Sequence, residues 1–250
     1  MPDPLAQLAA LPGLGWIAAA GFVAGLVRGF AGFGTAMIFL PVAGQFLPPI
    51  GALTTLIVMD AFGPLPNLRR AWRDGQPADV FRLIAGTLVM LPIGLALLLA
   101  VAPEVFRYAV SIVALVLLAC LIAGLRYRGK LRPPMVYGIG GLAGFLGGVA
   151  GVPGPPVILF YMASPLPASA IRANTMWYLF LFDLVFLGVM YVADQLLLEF
   201  ILVGLAVAIP VVIGNVAGAA MFRPGWERQY RALAYAIIAV SALSGLPLWD

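Results

Sequence analysis

The stretch Gly21-Phe-Val-Ala-Gly-Leu-Val-Arg-Gly-Phe-Ala-Gly32 recurs 119 residues later as Gly140-Gly-Leu-Ala-Gly-Phe-Leu-Gly-Gly-Val-Ala-Gly151, and six of the twelve positions are identical. A second match, at an offset of 118 residues, pairs Gly86 with Gly204 and Pro92 with Pro210. Repetition at a fixed spacing is typical of a duplicated unit. We therefore expect two copies of one unit, over residues 1–128 and 129–250.

The composition places both copies in a membrane. Of the 250 residues, 63% are hydrophobic and 10% are charged, whereas soluble chains have roughly 45–50% and about 25%. There is no His and only one Cys, which excludes His-ligated metals and Ser-His-Asp or Cys-His catalysis. We expect no metal, no cofactor and no enzymatic activity. Cations in cytoplasmic loops explain the net charge of +4 better than a nucleic-acid partner does.

Apolar runs bounded by charge, Pro or Gly divide nearly the whole chain into segments of membrane-spanning length. A hydrocarbon core of about 30 Å needs around 20 helical residues. Two runs, 34–48 and 153–167, are shorter, and we expect tilted, broken or re-entrant helices there. The ten runs are 13–31, 34–48, 50–66, 81–101, 105–125, 134–150, 153–167, 170–192, 197–221 and 229–247.

The distribution of cations separates two topologies. With eight spans, four per copy, the cations outside the membrane divide eight to five and Arg28 lies inside it. With ten spans, 13 of the 14 cations lie on one side and Arg107 is the exception. Cytoplasmic loops are enriched in Lys and Arg, so ten spans are favoured, with both termini outside. Five segments per copy is an odd number, and we therefore expect an all-α polytopic membrane protein of two inverted repeats, with eight spans as the alternative.

The glycine motifs that open the two copies support two interpretations. Small residues three or four apart let helix backbones touch, which is sufficient for Gly21, Gly25, Gly140 and Gly144. The later glycines precede Thr35 in one copy and Pro153 in the other, a pattern that indicates a helix break and restart. A restarted helix offers unpaired N–H groups to a small oxyanion.

Arg28 lies among apolar residues beside the first motif. One interpretation is that its side chain extends to the cytoplasmic interface. The other is that its guanidinium attracts or holds an anionic substrate, because its fork of N–H groups fits sulfonate, sulfate or carboxylate oxygens.

Asp60 and Asp183 lie deep in the third and eighth segments, one in each copy. Intramembrane carboxylates are candidates for proton coupling or for pairing with Arg28 or Arg172. The alternative is a carboxyl group that caps a helix or bonds to backbone.

Other polar and aromatic residues are weaker candidates for lining a site. Thr54 falls near the start of the third segment, and Asn174 and Thr175 near the start of the eighth. Back-bonding of Thr to its own helix is an equally common role. Trp177 and Tyr178 are candidates for lining the path, but aromatic residues also serve as interfacial anchors.

Together these residues resemble the sulfite exporter TauE/SafE family of membrane permeases. The resemblance rests on the paired glycine motifs and on Arg172-Ala-Asn-Thr175, and it covers essentially the whole chain. It implies secondary transport of sulfite or of C2 organosulfonates, such as sulfoacetate or taurine-related compounds, across the bacterial inner membrane. It carries over as site positions Gly29, Gly32, Gly34, Gly148, Gly151 and Gly154.

The chain departs from the family pattern in two ways. Many members have a triple Gly where this chain has Phe33-Gly34-Thr35 and Val152-Pro153-Gly154, and many lack a cation at the position of Arg28. Both an inorganic anion and a larger sulfonate therefore remain open as substrates.

We expect Arg28, the N–H groups of the restarted helices and Thr35, with Asn174 and Thr175, to bind the anionic head. Asp60 or Asp183 would couple transport to protons. A passive anion channel with the same lining is the alternative function. The expected partners are a small anion, membrane lipid and, in a homodimer, a second copy of the chain.

Overall fold

A computed structural model describes residues 11–31, 33–62, 68–124, 132–161, 166–221 and 226–246. These ranges contain helices and no strands, so the all-α prediction is confirmed. In chain order the helices are α1 (Leu14–Ala31), α2 (Thr35–Ala43), α3 (Pro49–Asp60), α4 (Leu68–Asp74), α5 (Pro77–Ala100), α6 (Pro103–Ile122), α7 (Pro133–Ala150), α8 (Gly154–Tyr161), α9 (Ala168–Val192), α10 (Leu198–Met221) and α11 (Glu227–Ser244).

Six of these helices are long and apolar enough to cross a membrane: α1, α5, α6, α7, α9 and α10. Large apolar side chains such as Val89, Ile209 and Val216 are exposed on their outer faces. Water would not solvate such an exterior, whereas lipid does, and helices satisfy their backbone hydrogen bonds within the bilayer. The chain is a multi-pass membrane protein, as predicted.

The two short runs contain short helices. α2 has nine residues and α8 has eight. Gly34 precedes α2 with a φ of 102°, and Gly151 ends α7 with a φ of 65°, both left-handed conformations that glycine adopts without strain. The chain therefore breaks and restarts in both motifs. Gly32 lies outside the described residues.

α2 runs back along α1. Gly34, which precedes α2, faces the side chain of Val27 near the end of α1. Beyond the end of α2, the ring of Phe46 lies against Gly13, which precedes α1. The chain from 34 to 46 thus returns along most of the length of α1.

The most extensive helix contacts join the two halves of the chain. α1 packs on α10, and α5 packs on α7. A Cβ added at Gly29 would lie 2.7 Å from the Ala219 nitrogen, and one at Gly148 would lie 2.7 Å from the Leu95 nitrogen. Backbone contact of this kind is how small residues hold helices together in lipid. Helix packing was the interpretation given above for Gly21, Gly25, Gly140 and Gly144. The structure shows that Gly29 and Gly148 also serve helix packing.

The fourth segments of the two halves correspond in a register that the sequence comparison missed. Gly94 of α5 lies on Gly148, and Gly218 of α10 lies on Gly29. Gly94 therefore matches Gly218, 124 residues later. The glycines that are matched at 118 residues face different helices, α7 and α3. Glycines recur along these helices at near-helical intervals, so the sequence offered several equivalent alignments.

Contacts also give the helix directions. α1 and α10 run in the same direction, and so do α5 and α7, because contacts advance together along both partners. α2 and α11 run alongside each other, from Gly34 beside Ile238 to Pro41 beside Gly245. α6 begins near Gly44, beyond the end of α2. α6 and α11, the fifth segments of the two halves, therefore run in opposite directions.

Replacing Gly144 by Ala tests the α5–α7 contact. The added Cβ would lie 2.7 Å from the Thr87 Cα, and overpacking of this kind costs about 1–3 kcal/mol. Gly138→Ala is the control on the same helix, since a Cβ there meets nothing within 4 Å and Ala favours the helix by up to about 1 kcal/mol. We expect a lower Tm for Gly144→Ala alone in detergent; equal melting temperatures would contradict the contact.

Cysteine labelling tests the topology. Cys120 is the only thiol, so replacing it by Ala gives a Cys-free background. Single cysteines at Arg73 and Gln195 should then label from opposite sides of the membrane if ten segments cross, and from the same side if eight do. One at Arg228, at the start of α11, should label from the same side as Arg73 if ten segments cross. Labelling of Arg228→Cys from the side opposite to Arg73 would favour eight spans.

Candidate anion and proton site

Arg28 forms an ion pair with Asp60. Arg28 lies in the last turn of α1, and Asp60 is the last residue of α3. Arg28 Nη1 and Asp60 Oδ1 are 2.6 Å apart, and the two side chains are 19% and 20% exposed. A lone Arg at the centre of a spanning helix costs about 2.5–3.5 kcal/mol by insertion scales, and a carboxylate partner reduces that cost. The guanidinium is therefore directed to a partner inside the protein.

Asp183 of α9 completes this group of charges. Its side chain is 6% exposed. It interacts electrostatically with Asp60 and with Arg28. We call these three residues the Arg28 cluster: one guanidinium, one carboxyl group in contact with it and a second carboxyl group nearby.

The second half of the chain has no equivalent of this cation. At the offset of 119 residues, Gly147 stands where Arg28 stands in the first half. The ring of Phe182, next to Asp183, lies against Gly147. An aromatic ring from α9 thus occupies the space that a side chain would take there.

The starts of the restarted helices are surrounded by apolar side chains. A Cβ at Gly34 would lie 3.4 Å from Ile238, and one at Gly154 would lie 3.5 Å from Leu179. Pro153 and Thr35 are buried. Phe33 packs its ring against Tyr235, with the centroids 6.3 Å apart. Anion binding at these helix starts stays a prediction.

α3 and α9 each have one further candidate residue with a buried hydroxyl group. Thr54 is fully buried, and its Oγ1 has no hydrogen-bond partner among the described residues. The same holds for the Thr175 Oγ1. Arg172, one turn before Thr175, is exposed, so it does not join the Arg28 cluster.

Asn174 and Trp177 hold the short helix α4 against α9. The Gln76 backbone N–H, just after α4, donates to Asn174 Oδ1 at 2.6 Å. The Trp177 Nε1–H donates to the Leu68 carbonyl, at the start of α4, at 3.1 Å. Trp72 of α4 also contacts Trp177 edge to face, with the ring centroids 5.2 Å apart. α4 is therefore bonded to α9 at both of its ends.

Tyr178 ties α9 to the α5–α7 pair. It is fully buried, and its hydroxyl lies 3.1 Å from Thr87 Oγ1. Thr87 Oγ1–H donates in turn to the Gly140 carbonyl at 3.0 Å. These two hydrogen bonds join α9, α5 and α7. Tyr178 therefore contributes to the packing of the helices.

The sequence-predicted site residues thus separate into groups. Arg28, Asp60 and Asp183 come together, whereas Asn174, Trp177 and Tyr178 bond to α4 and α5. The sequence did not single out Thr87, and no spacing pattern marks it. Among the described residues, no group of three His, Cys, Asp or Glu side chains could hold a metal ion.

A family profile described as Sulfite exporter TauE/SafE matches residues 17–245. The match covers nearly the whole chain. This chain belongs to the sulfite exporter TauE/SafE family. No curated protein and no solved structure matches the chain significantly.

Membership in the TauE/SafE family places the chain among membrane transporters of sulfite and related sulfur anions, a family of transporters and not of enzymes. The expected family is confirmed. The glycine motifs and the Arg28 cluster lie within the matched residues, and so do the spanning helices apart from the first three residues of α1.

Replacing Asn174 by Ala in this TauE/SafE member tests the attachment of α4. The Gln76 N–H would lose its acceptor, and hydrogen exchange in residues 68–76 should become roughly tenfold faster. Thr175→Ala is the neighbouring control, because the Thr175 hydroxyl has no partner among the described residues. Equal exchange in both variants, measured by mass spectrometry, would show that the bond does not hold α4.

Proposed function

We propose that this protein carries sulfite or small C2 organosulfonates across the bacterial inner membrane, coupled to protons, and that Arg28 holds the anion. The observation that supports this proposal is the Arg28–Asp60 pair. It combines a cation that can hold an anion with an acid that can carry a proton. About a fifth of each side chain is exposed, so the pair is not fully enclosed by the protein.

The chemistry of the pair fits a sulfonate head. Asp60 Oδ1 lies 2.6 Å from Arg28 Nη1, which is where an oxygen of a bound anion would lie. A guanidinium presents parallel N–H groups that match two oxygens of a carboxylate, a sulfonate or sulfite. The Asp60 carboxylate therefore stands in for the anionic head while no substrate is bound.

We also propose ten crossings and two inverted halves, with domains over 1–128 and 129–250. In both halves, the first segment packs on the fourth segment of the other half: α1 on α10, and α7 on α5. The opposite directions of α6 and α11 support inversion. Inverted repeats that rock around a central site are a common route to alternating access. A homodimer stays a prediction.

The rate of anion passage distinguishes a passive channel from a carrier. A channel would show unitary conductance in a planar bilayer far above carrier turnover. The closed Arg28–Asp60 pair supports the carrier, because each passage would require the pair to open.

A binding panel tests the role of Arg28. Sulfite, sulfoacetate, taurine, sulfate and acetate are compared by the rise in Tm that each gives to the purified protein. We expect a sulfur anion to raise Tm by several degrees. Asp60→Asn should keep this stabilisation, and Arg28→Gln combined with Asp60→Asn should lose it.

These two variants differ only at Arg28, and the double substitution leaves no unpaired Arg28 or Asp60 charge in the membrane. Arg73→Ala, an exposed cation on α4, controls for general loss of positive charge. Equal stabilisation of the Asp60→Asn protein with and without Arg28 would refute the assignment of the anion to Arg28.

A further inference from the structure

The Arg28 cluster contains one cation and two acids. If both carboxyl groups were ionised, the cluster would carry a net negative charge within the membrane, which is costly. Neutrality at rest requires a proton on one of the two acids. Coupled carboxyl groups titrate as a pair, so the net charge of the cluster does not depend on which of them holds that proton.

Among the described residues, the helices packed around Asp60 add no other charge to the cluster. α1 contributes Arg28 and α9 contributes Asp183. α2 has no charged residue. The only charged residue of α10 is Glu199, in its first turn beside the start of α3, whereas Asp60 is the last residue of α3.

We propose that the substrate anion and Asp60 compete for Arg28, so that each monovalent anion enters the site together with one proton. This inference rests on the proposed function. The anion takes the N–H groups of Arg28, and the proton, drawn from the solution on the same side, binds the released Asp60 oxygen. Before and after this exchange the cluster is neutral.

The exchange makes transport electroneutral. One negative charge and one positive charge cross together, and both are released when the ion pair re-forms. Sulfite would be carried as hydrogensulfite, its monovalent form. A divalent anion would leave the cluster with an excess negative charge, so the same site disfavours it.

The test uses ethanesulfonate, whose charge stays at −1 between about pH 5 and pH 8. Asp183→Asn leaves a simple Arg28–Asp60 pair, and adding Asp60→Asn removes the competitor. Binding to each protein is measured by calorimetry in buffers of different ionisation enthalpy, which gives the protons taken up per anion.

We expect wild type and Asp183→Asn to take up about one proton per anion, with affinity falling about tenfold per pH unit above the range in which Asp60 is protonated. The double variant should take up none, and at pH 8 it should bind more tightly than Asp183→Asn.

Two results would overturn the exchange while leaving anion binding intact: no proton uptake by Asp183→Asn, or undiminished uptake by the double variant. Absence of binding to every protein at every pH would overturn the proposed function as well.

If the double variant does not fold, transport by the wild-type protein in liposomes tests the exchange. A pH gradient should drive uptake of labelled ethanesulfonate, and a membrane potential set by potassium and valinomycin should not change the rate of uptake. Uptake that follows the potential, or no uptake, would contradict the exchange.

Discussion

Helices in lipid gain little from burying apolar side chains against each other, because lipid tails are equally apolar. In this protein the gain comes from close backbone contact, at glycines repeated along α1, α5, α7 and α10. Those contacts join the first segment of each half to the fourth segment of the other. The positions of Arg28 at the end of α1 and of the charged groups around it depend on this framework.

The sequence predicted much of the fold, because lipid imposes strong rules on composition and segment length. Local patterns predict the spanning helices and the breaks at Gly34 and Gly151. They also predict that Gly25 and Gly144 lie at helix–helix contacts. The correspondence between α5 and α10 did not follow, because the glycines of the two helices, at 86 and 94 and at 204, 214 and 218, allow more than one alignment.

The site was less predictable. Arg28 and Asp60 stood out as charges in apolar segments, yet both Arg28 and Arg172 were candidate partners for the acids. Only the placement of α1 and α3, which both pack on α10, decides between them. Asn174 and Trp177 were expected to line a site. Their partners are backbone groups of α4, and backbone groups leave no signature in a sequence. The family glycines Gly29 and Gly148 serve helix contact, and the proposed anion site is therefore the Arg28 cluster.

The replacement of Arg28 by Gly147 in the second half, with the Phe182 ring beside it, bears on the resting state. Two identical inverted halves would be related by a two-fold axis in the membrane plane. The inward-open and outward-open forms would then be equivalent by symmetry and have the same free energy. A single cation, paired with an acid of its own half, removes that degeneracy. In the proposed carrier, the empty protein would then be unevenly divided between its two orientations, and this bias would set the side on which the unloaded site is open.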